Sequence, residues 1–305
     1  MFIPAINVNN MSLAIVMDQS PTLNRTTVLA CPGGKSKQVR YLATLMPTDI
    51  EKFYEPFAGG LGMTNYLIRL GRVESKNCNI GDLHEPIINF YRVLRSDYEN
   101  LTLKLMNIRA MHGSGSRELF NDCLDVIFGD NSPLDRAVAY FVYNKLCIEG
   151  SRDYKPNTFA ESNAADGNGL TISKILRLPF FGALLRDTKI RRRSYVYALR
   201  DAANDNGFVF LDPPYEGFAE DMYKVGAFDF DRFAADCHAV KGKCQMMITL
   251  NDSPAIRERF KGYNIITRGV YYSMSETTKG ELIICNYELP HQDYYLNQLG
   301  FQLVA

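Results

Sequence analysis

Long apolar runs are missing from this chain. The longest, such as Leu282-Ile283-Ile284-Cys285, fall far short of the ~20 residues that a membrane-spanning helix needs. The first residues, Met1 to Ala14, place no basic residue ahead of their apolar positions, so a secretory leader is not expected. Both absences predict a cytoplasmic protein that makes no use of a membrane. Paired cysteine spacings are missing too. The seven cysteines (Cys31, Cys78, Cys123, Cys147, Cys237, Cys244 and Cys285) are odd in number, scattered, and without a Cys-x-x-Cys pair. Reduced thiols and no structural metal are expected. No internal repeat or long low-complexity tract interrupts the chain. Net charge is also lacking, with 34 basic residues against 34 acidic ones.

What is present is uneven. Residues 1–100 carry ten Lys/Arg against nine Asp/Glu, residues 101–200 fifteen against ten, and residues 201–305 nine against fifteen. Within the middle third, residues 170–200 hold eight basic side chains and one acid, Asp187. A neutral total therefore hides a basic stretch, and distribution matters more than the sum where a polyanion is concerned. On its own such a run reads as a solvated surface.

From Glu51 the chain alternates short apolar strands with helical patterns, the signature of an α/β fold with a mostly parallel sheet. Lys52–Phe57 reads as a strand, Gly62 to Leu70 as a helix, and Asn77–Gly81 as a second strand closed by Asp82. Pro86 then sits where helices accept proline, in the first turn, ahead of Ile87, Phe90, Tyr91 and Leu94 at helical spacing. Residues 98–190 break the alternation with helical stretches (Leu101–Met111, Arg117–Phe128, Leu134–Cys147) and a Gly/Asn/Ser/Asp-rich loop, Glu161 to Gly169. The pattern resumes at Phe208–Leu211 and continues through a helix at Phe230–Lys241 and a strand at Cys244–Leu250. A helix at Pro254–Phe260 and strands at Tyr263–Arg268 and Glu281–Tyr287 follow, the two strands joined by an unstructured Tyr272–Lys279. The expected organisation is an N-terminal extension (1–28), a first catalytic part (29–97), a mostly helical insertion (98–192) and a second catalytic part (193–305). Within the extension, Leu13–Val16 reads either as a strand or as a lead-in.

Three segments carry chemistry. Asp212-Pro213-Pro214-Tyr215 follows the strand Phe208–Leu211, and ligands of open α/β sheets bind at the carboxyl ends of strands. The Asp212 carboxylate suits an exocyclic amino group, as does the Pro213 carbonyl. Pro213 and Pro214 stiffen the turn, and Tyr215 offers a ring on which a base can stack, a contact worth ~1–3 kcal/mol. A lone Asp-Pro-Pro reads equally well as a strand-ending turn; the strand before it and the aromatic after it favour function. Glu55-Pro56-Phe57-Ala58-Gly59-Gly60-Leu61-Gly62 is a Gly-rich turn between strand and helix, of the kind that lets a ligand approach the backbone. Dehydrogenases use similar turns. Asp82, about 20 residues past Gly62, falls where an acid binds ribose hydroxyls or, more blandly, caps the next helix. Cys31-Pro32-Gly33-Gly34-Lys35-Ser36-Lys37 lacks the spacing of a phosphate-binding loop, and alone it is a surface turn.

In this order the three segments resemble the Dam-like, D12 class of DNA adenine N6-methyltransferases, from about Cys31 to Tyr287. Ile248-Thr249-Leu250-Asn251-Asp252 and Glu281–Tyr287 are similar to the same family. The resemblance implies a Rossmann-like sheet that uses S-adenosyl-L-methionine as methyl donor and needs no metal. It implies that Cys31 and Lys35 contact the donor, that Phe57, Gly59 and Gly62 wrap its methionine end, and that Asp82 holds its ribose. Asp212 would lie between donor and target amine, and Tyr215 would stack on an adenine flipped out of double-stranded DNA. The insertion becomes a target-recognition subdomain, in which Asn144-Lys145-Leu146-Cys147-Ile148-Glu149-Gly150 resembles a stretch that leads into DNA contacts. Asn144, Lys145 and Arg152, with Arg191, Arg192 and Arg193 from the basic run, are the expected DNA-binding residues. Cys31 stands where the family carries Trp or Tyr, Lys145 and Glu149 replace Arg and Asn, and Arg152 is shifted by one position. A GATC target is therefore not implied. A restriction-modification context, with a cognate restriction enzyme as partner, is admitted but not specified.

Other readings compete. RNA or protein amino-nitrogen methyltransferases often carry a related Asn/Asp-Pro-Pro turn; the Gly-Gly-Lys block and the large insertion favour the DNA enzyme. An NAD-dependent oxidoreductase would explain the Gly-rich turn and Asp82 and leave Asp-Pro-Pro-Tyr unexplained. A DNA-binding protein with a decayed site would not keep Asp212, Tyr215 and Asp82.

Overall fold

Strands rich in Phe, Val, Ile and Met bury both faces, which requires helices above and below the sheet. A computed structural model describes residues 26–215, 228–272, 277–290 and 302–303. The rest of the expected N-terminal extension, including Leu13–Val16, lies outside the described residues. In chain order the strands are β1 (Phe53–Glu55), β2 (Cys78–Asp82), β3 (Lys189–Arg192), β4 (Phe208–Leu211), β5 (Gln245–Asn251), β6 (Asn264–Tyr272), β7 (Thr277–Cys285) and β8 (Gln302–Leu303). They form one sheet in the order β3-β2-β1-β4-β5-β7-β6-β8. The pairs from β3 to β5 are parallel, and β7, β6 and β8 add antiparallel partners.

Side-chain alternation decides which face each residue serves. Phe208 and Phe210 point into a layer with Met63, Tyr66 and Leu67 of helix Gly62–Arg69. Val209 and Leu211 point the other way, towards Leu199, Phe233 and Ile256. The helical insertion does not form a separate core. Phe90, Tyr91 and Leu94 of helix Glu85–Ser96 share one cluster with Leu101, Phe120, Phe141 and Leu146 from the insertion. Its helices start as the sequence dictates: Ser116 and Ser132 accept hydrogen bonds from Leu119 N and Asp135 N, caps worth ~1 kcal/mol each. Pro133 follows Ser132 in the first turn, where its missing N–H costs nothing.

Three expectations change. Lys189–Arg192, read as part of the insertion, is an edge strand parallel to β2, with Ile190 its one buried side chain. The Glu161 to Gly169 loop contains a short helix, Glu161–Ala165. Of the link expected over Tyr272–Lys279, residues 273–276 lie outside the described residues and the rest pairs as strand, with Tyr271 opposite Thr278 and Tyr272 opposite Thr277. β-branched and aromatic residues favour the pleated ladder there, so β6 and β7 run on beyond the apolar stretches that marked them. Among the described residues no helix is long and apolar enough to cross a membrane.

Candidate active site

β1 lies between β2 and β4, so the chain leaves its carboxyl end in one direction and returns on the other side much later. A crevice opens at such a switch point. Three of the predicted segments converge there: the Gly-rich turn after β1, Asp82 at the end of β2, and Asp212 at the end of β4.

The turn is held from both sides. Ala58 N donates to Gly81 O at 2.9 Å and Leu61 N to Ala58 O at 2.7 Å. Leu61 (φ 57°) and Gly59 (φ 44°) are both left-handed. A Cβ on Gly59 would come within 3.1 Å of Cys31 Sγ, so glycine serves conformation and clearance at once. Glu55 lies beneath, 4% exposed, and accepts from Thr64 N at 2.9 Å and from the Thr64 hydroxyl. That places an acid at the N-terminus of helix Gly62–Arg69, where it complements the exposed N–H groups. Burial nevertheless raises its pKa to about 7, against the lowering effect of the Thr64 hydrogen bonds. Gly62 opens this helix in full burial, and Phe57 stacks on Tyr195 with centroids 5.7 Å apart.

Asp82 does not cap the following helix; His84 does, through Nδ1 and Ile87 N at 3.4 Å. The Asp82 carboxylate instead accepts from His84 N at 2.9 Å and Gly59 N at 3.3 Å, which ties the β2 end to the Gly-rich turn. Burial holds the His84 imidazole far towards neutrality, with a pKa lowered to about 3. Its Nε2 lies 2.7 Å from the Tyr154 hydroxyl.

The Gly-Gly-Lys segment turns at the surface, with Gly33 and Gly34 exposed, but it sends Lys35 inward. Lys35 is 6% exposed, and its Nζ lies 2.6 Å from Asp212 Oδ1, 3.5 Å from Glu281 Oε1 and 4.7 Å from the Tyr215 ring centroid. Thr249 Oγ1 donates to the same Asp212 oxygen at 2.7 Å. Pro213 is buried, while Pro214 and Tyr215 are half-buried. Tyr215 donates its phenol proton to Glu281 Oε1. Thr249 and Glu281 belong to stretches whose similarity to the family was visible, yet neither drew attention as a site residue. The one signal was an acid opening an otherwise apolar strand, Glu-Leu-Ile-Ile-Cys.

The residues expected to touch DNA divide. Asn144 and Lys145 are 2% and 8% exposed. Asn144 pairs with the backbone of Ala30 twice, Oδ1 accepting from N and Nδ2 donating to O, both at 2.9 Å. Lys145 Nζ donates to Val28 O at 2.6 Å and Asn144 Oδ1 at 3.0 Å. Loss of water pushes its pKa down to about 7, with Lys174 adding to the effect. Both clamp the Val28–Ala30 segment and are buried from solvent. Arg152 reaches the other end of that segment, 3.4 Å from Cys31 Sγ and 3.9 Å from Asp82 Oδ2. Arg193 is turned inward onto Asp201 at 2.6 Å, and Arg192 Nε donates to Leu83 O at 3.0 Å. Arg191 and Arg192 are exposed on the edge strand. Among the described residues no group of His, Cys, Asp or Glu side chains is placed to hold a metal.

The parallel sheet with its antiparallel margin, a Gly-rich turn at the switch point and an acid at each neighbouring strand end define an α/β methyltransferase of the S-adenosylmethionine-dependent fold class. Residues 32–274 match the family described as D12 class N6 adenine-specific DNA methyltransferase, and the chain belongs to it. It is 24% identical over 233 residues to the Type II methyltransferase M.CviBI of Paramecium bursaria Chlorella virus NC1A, covering 76% of this chain and 85% of that one. Identity to the Type II methyltransferase M.MjaIII of Methanocaldococcus jannaschii is 26% over 198 residues (60% and 67%). With the Type II methyltransferase M1.LlaDCHI of Lactococcus lactis subsp. cremoris it is 25% over 278 residues (84% and 93%).

Proposed function

We propose that this protein transfers a methyl group from S-adenosyl-L-methionine to N6 of an adenine extruded from duplex DNA. The observation that carries the reading is the Asp212 carboxylate: it closes β4 at the switch point and is held on Oδ1 by Lys35 and Thr249. Oδ2 is thereby left to accept a hydrogen bond from the target amine.

The residues present fit the donor. Asp82 offers a carboxylate for ribose hydroxyls one strand away from the β1 turn. Gly59, with no side chain, lets a ligand lie against that turn, and Gly62 opens the helix beneath it. Cys31 and Arg152 form the wall opposite Gly59 and belong to this donor side. The donor supplies an electrophilic methyl carbon. The chain's own work is alignment, an effect that can supply roughly 7–11 kcal/mol. Asp212 and the Pro213 carbonyl orient the amine so that its nitrogen faces the methyl carbon, and Tyr215 supplies a stacking face for the purine. A base inside the duplex cannot reach this turn, so it has to leave the stack. We assign the helical insertion to target recognition, and exposed Arg191 and Arg192 to phosphate contact.

The test is transfer of tritiated methyl groups to unmethylated genomic DNA, followed by nucleoside analysis of the product. Label in N6-methyladenine supports the reading; label in cytosine, RNA or protein alone would overturn it.

A further inference from the structure

Glu281 opens the buried half of β7 opposite Asn251 of β5 and is 1% exposed. An acid is out of place beside Leu282, Ile283 and Ile284 unless it answers a particular neighbour, because removing a carboxylate from water is costly. Its Oε1 does so twice, accepting from the Tyr215 phenol and lying 3.5 Å from Lys35 Nζ. Its Oε2 has no hydrogen-bond partner among the described residues. Burial raises its pKa, and the nearby Lys35 ammonium opposes that rise.

Tyr215 needs such an anchor. Pro213 and Pro214 fix the backbone leading to it, since proline locks φ, but a fixed backbone alone leaves any tyrosine the freedom of its own side-chain bonds. A hydrogen bond at the far end of the ring removes that freedom. Lys35 Nζ lies over the ring, 4.7 Å from its centroid. The same ammonium holds Asp212. Stacking shelf and amine acceptor are thus referred to one fixed pair of side chains.

We propose that Glu281 is a positioning residue of the methyl-transfer site: it pins the Tyr215 phenol and shares Lys35 with Asp212, which sets ring and carboxylate in register. The inference rests on the reading of Tyr215 as the face for an extruded base. A purely structural role would predict that Glu281→Gln lowers stability and leaves turnover of the folded enzyme unchanged.

The experiment compares wild type, Glu281→Gln, Tyr215→Phe and the double variant. Measured are kcat and KM for methyl transfer to unmethylated genomic DNA, donor affinity by calorimetry, and melting temperature. Neutralising the acceptor in Glu281→Gln, which keeps an amide oxygen, predicts a fall in kcat of about tenfold, and losing the phenol donor in Tyr215→Phe one of about ten- to hundredfold. Donor affinity stays within about threefold, and the double variant is no slower than the slower single one, because both changes act on one contact. A double loss equal to the product of the single losses overturns the proposal, as does wild-type kcat in Tyr215→Phe. Should Glu281→Gln not fold, Tyr215→Phe breaks the same hydrogen bond from the more accessible side and decides alone. A wild type that binds donor yet labels no DNA would overturn the adenine reading, and this inference with it.

Discussion

Lys35 and Asp212, far apart in the chain, meet as an ion pair 2.6 Å long at the carboxyl edge of the sheet. The Lys35 side chain is 4% exposed and that of Asp212 19%. The ammonium serves two acids, so removing it leaves Asp212 and Glu281 facing each other without a cation. We expect Lys35→Met to lower kcat by at least roughly tenfold and to lower the melting temperature, since leaving a buried charge unpaired is destabilising. Asp212→Ala should abolish transfer while donor binding weakens and remains measurable. Single-turnover assays and calorimetry on both variants check this; wild-type turnover in Asp212→Ala would remove Asp212 from the chemistry.

Asp82 is the second testable point. Calorimetry with S-adenosylmethionine, its demethylated product and NAD should show binding of the first two only. Asp82→Ala should weaken both by about tenfold, the value of one hydrogen bond from a hydroxyl to a charged acceptor. Tight NAD binding would revive the oxidoreductase alternative.

Asn144 makes a third. Its two hydrogen bonds to Ala30 hold the segment that carries Cys31 across the Gly-rich turn. Asn144→Ala should therefore raise the donor Kd and lower stability by roughly 1–3 kcal/mol for the polar groups left unsatisfied. DNA affinity in the absence of donor should stay within about twofold. A variant that loses DNA binding and keeps donor binding would restore the sequence-based expectation of a base contact.

Lys145 gives a pH dependence with a definite sign. Its folded pKa, about 7, lies below the ordinary lysine value. Between about pH 7 and 10 the unfolded chain holds a proton that the folded one has released, so this residue's contribution to stability rises with pH and fades as pH falls towards 7. Comparison of wild type with Lys145→Met by urea unfolding should show wild type gaining on the variant across that window, by on the order of a few kcal/mol. A difference that stays flat across the same window would mean the ammonium remains charged in the fold.

Arg191 and Arg192 are exposed on the sheet edge, whereas Arg193 is occupied by Asp201. Replacing the first two with Ala should weaken binding to all duplexes alike. The slope of log affinity against log salt should shrink by about one for each phosphate no longer neutralised. Arg193→Ala should destabilise the protein and leave that slope unchanged. An identical slope in the Arg191/Arg192 double variant would move the DNA footprint elsewhere.

Much of the parallel core was legible because apolar strands between turn residues announce themselves: β4 spans the predicted Phe208–Leu211, and the helices after β1 and β2 start within a residue or two of the glycine and proline that mark them. β3 was not legible, since Lys-Ile-Arg-Arg has a single buried side chain and an edge strand needs no more. The same edge explains why three arginines looked alike in the sequence and separate in the fold. Asn144 and Lys145 sit in the last turn of a helix and are buried there like its apolar residues, and only the Val28–Ala30 segment shows what they bind. Thr249 and Glu281 became site residues through β5 and β7, whose order beside β4 no local pattern reveals.

The residues after helix Pro133–Leu146 pack around the ends of β1 and β2 at three points: Gly150 against Ala30, Arg152 beside Cys31 and Asp82, and Tyr154 on His84. On the proposed reading, recognition and catalysis are consequently not interchangeable cassettes in this protein. A chimaera that imports a relative's helical insert to change the sequence it reads would also import a foreign wall for the methyl donor. To keep the pocket intact, such a graft has to bring its own counterpart of residues 27–31, or retain Asn144 through Tyr154 from the host.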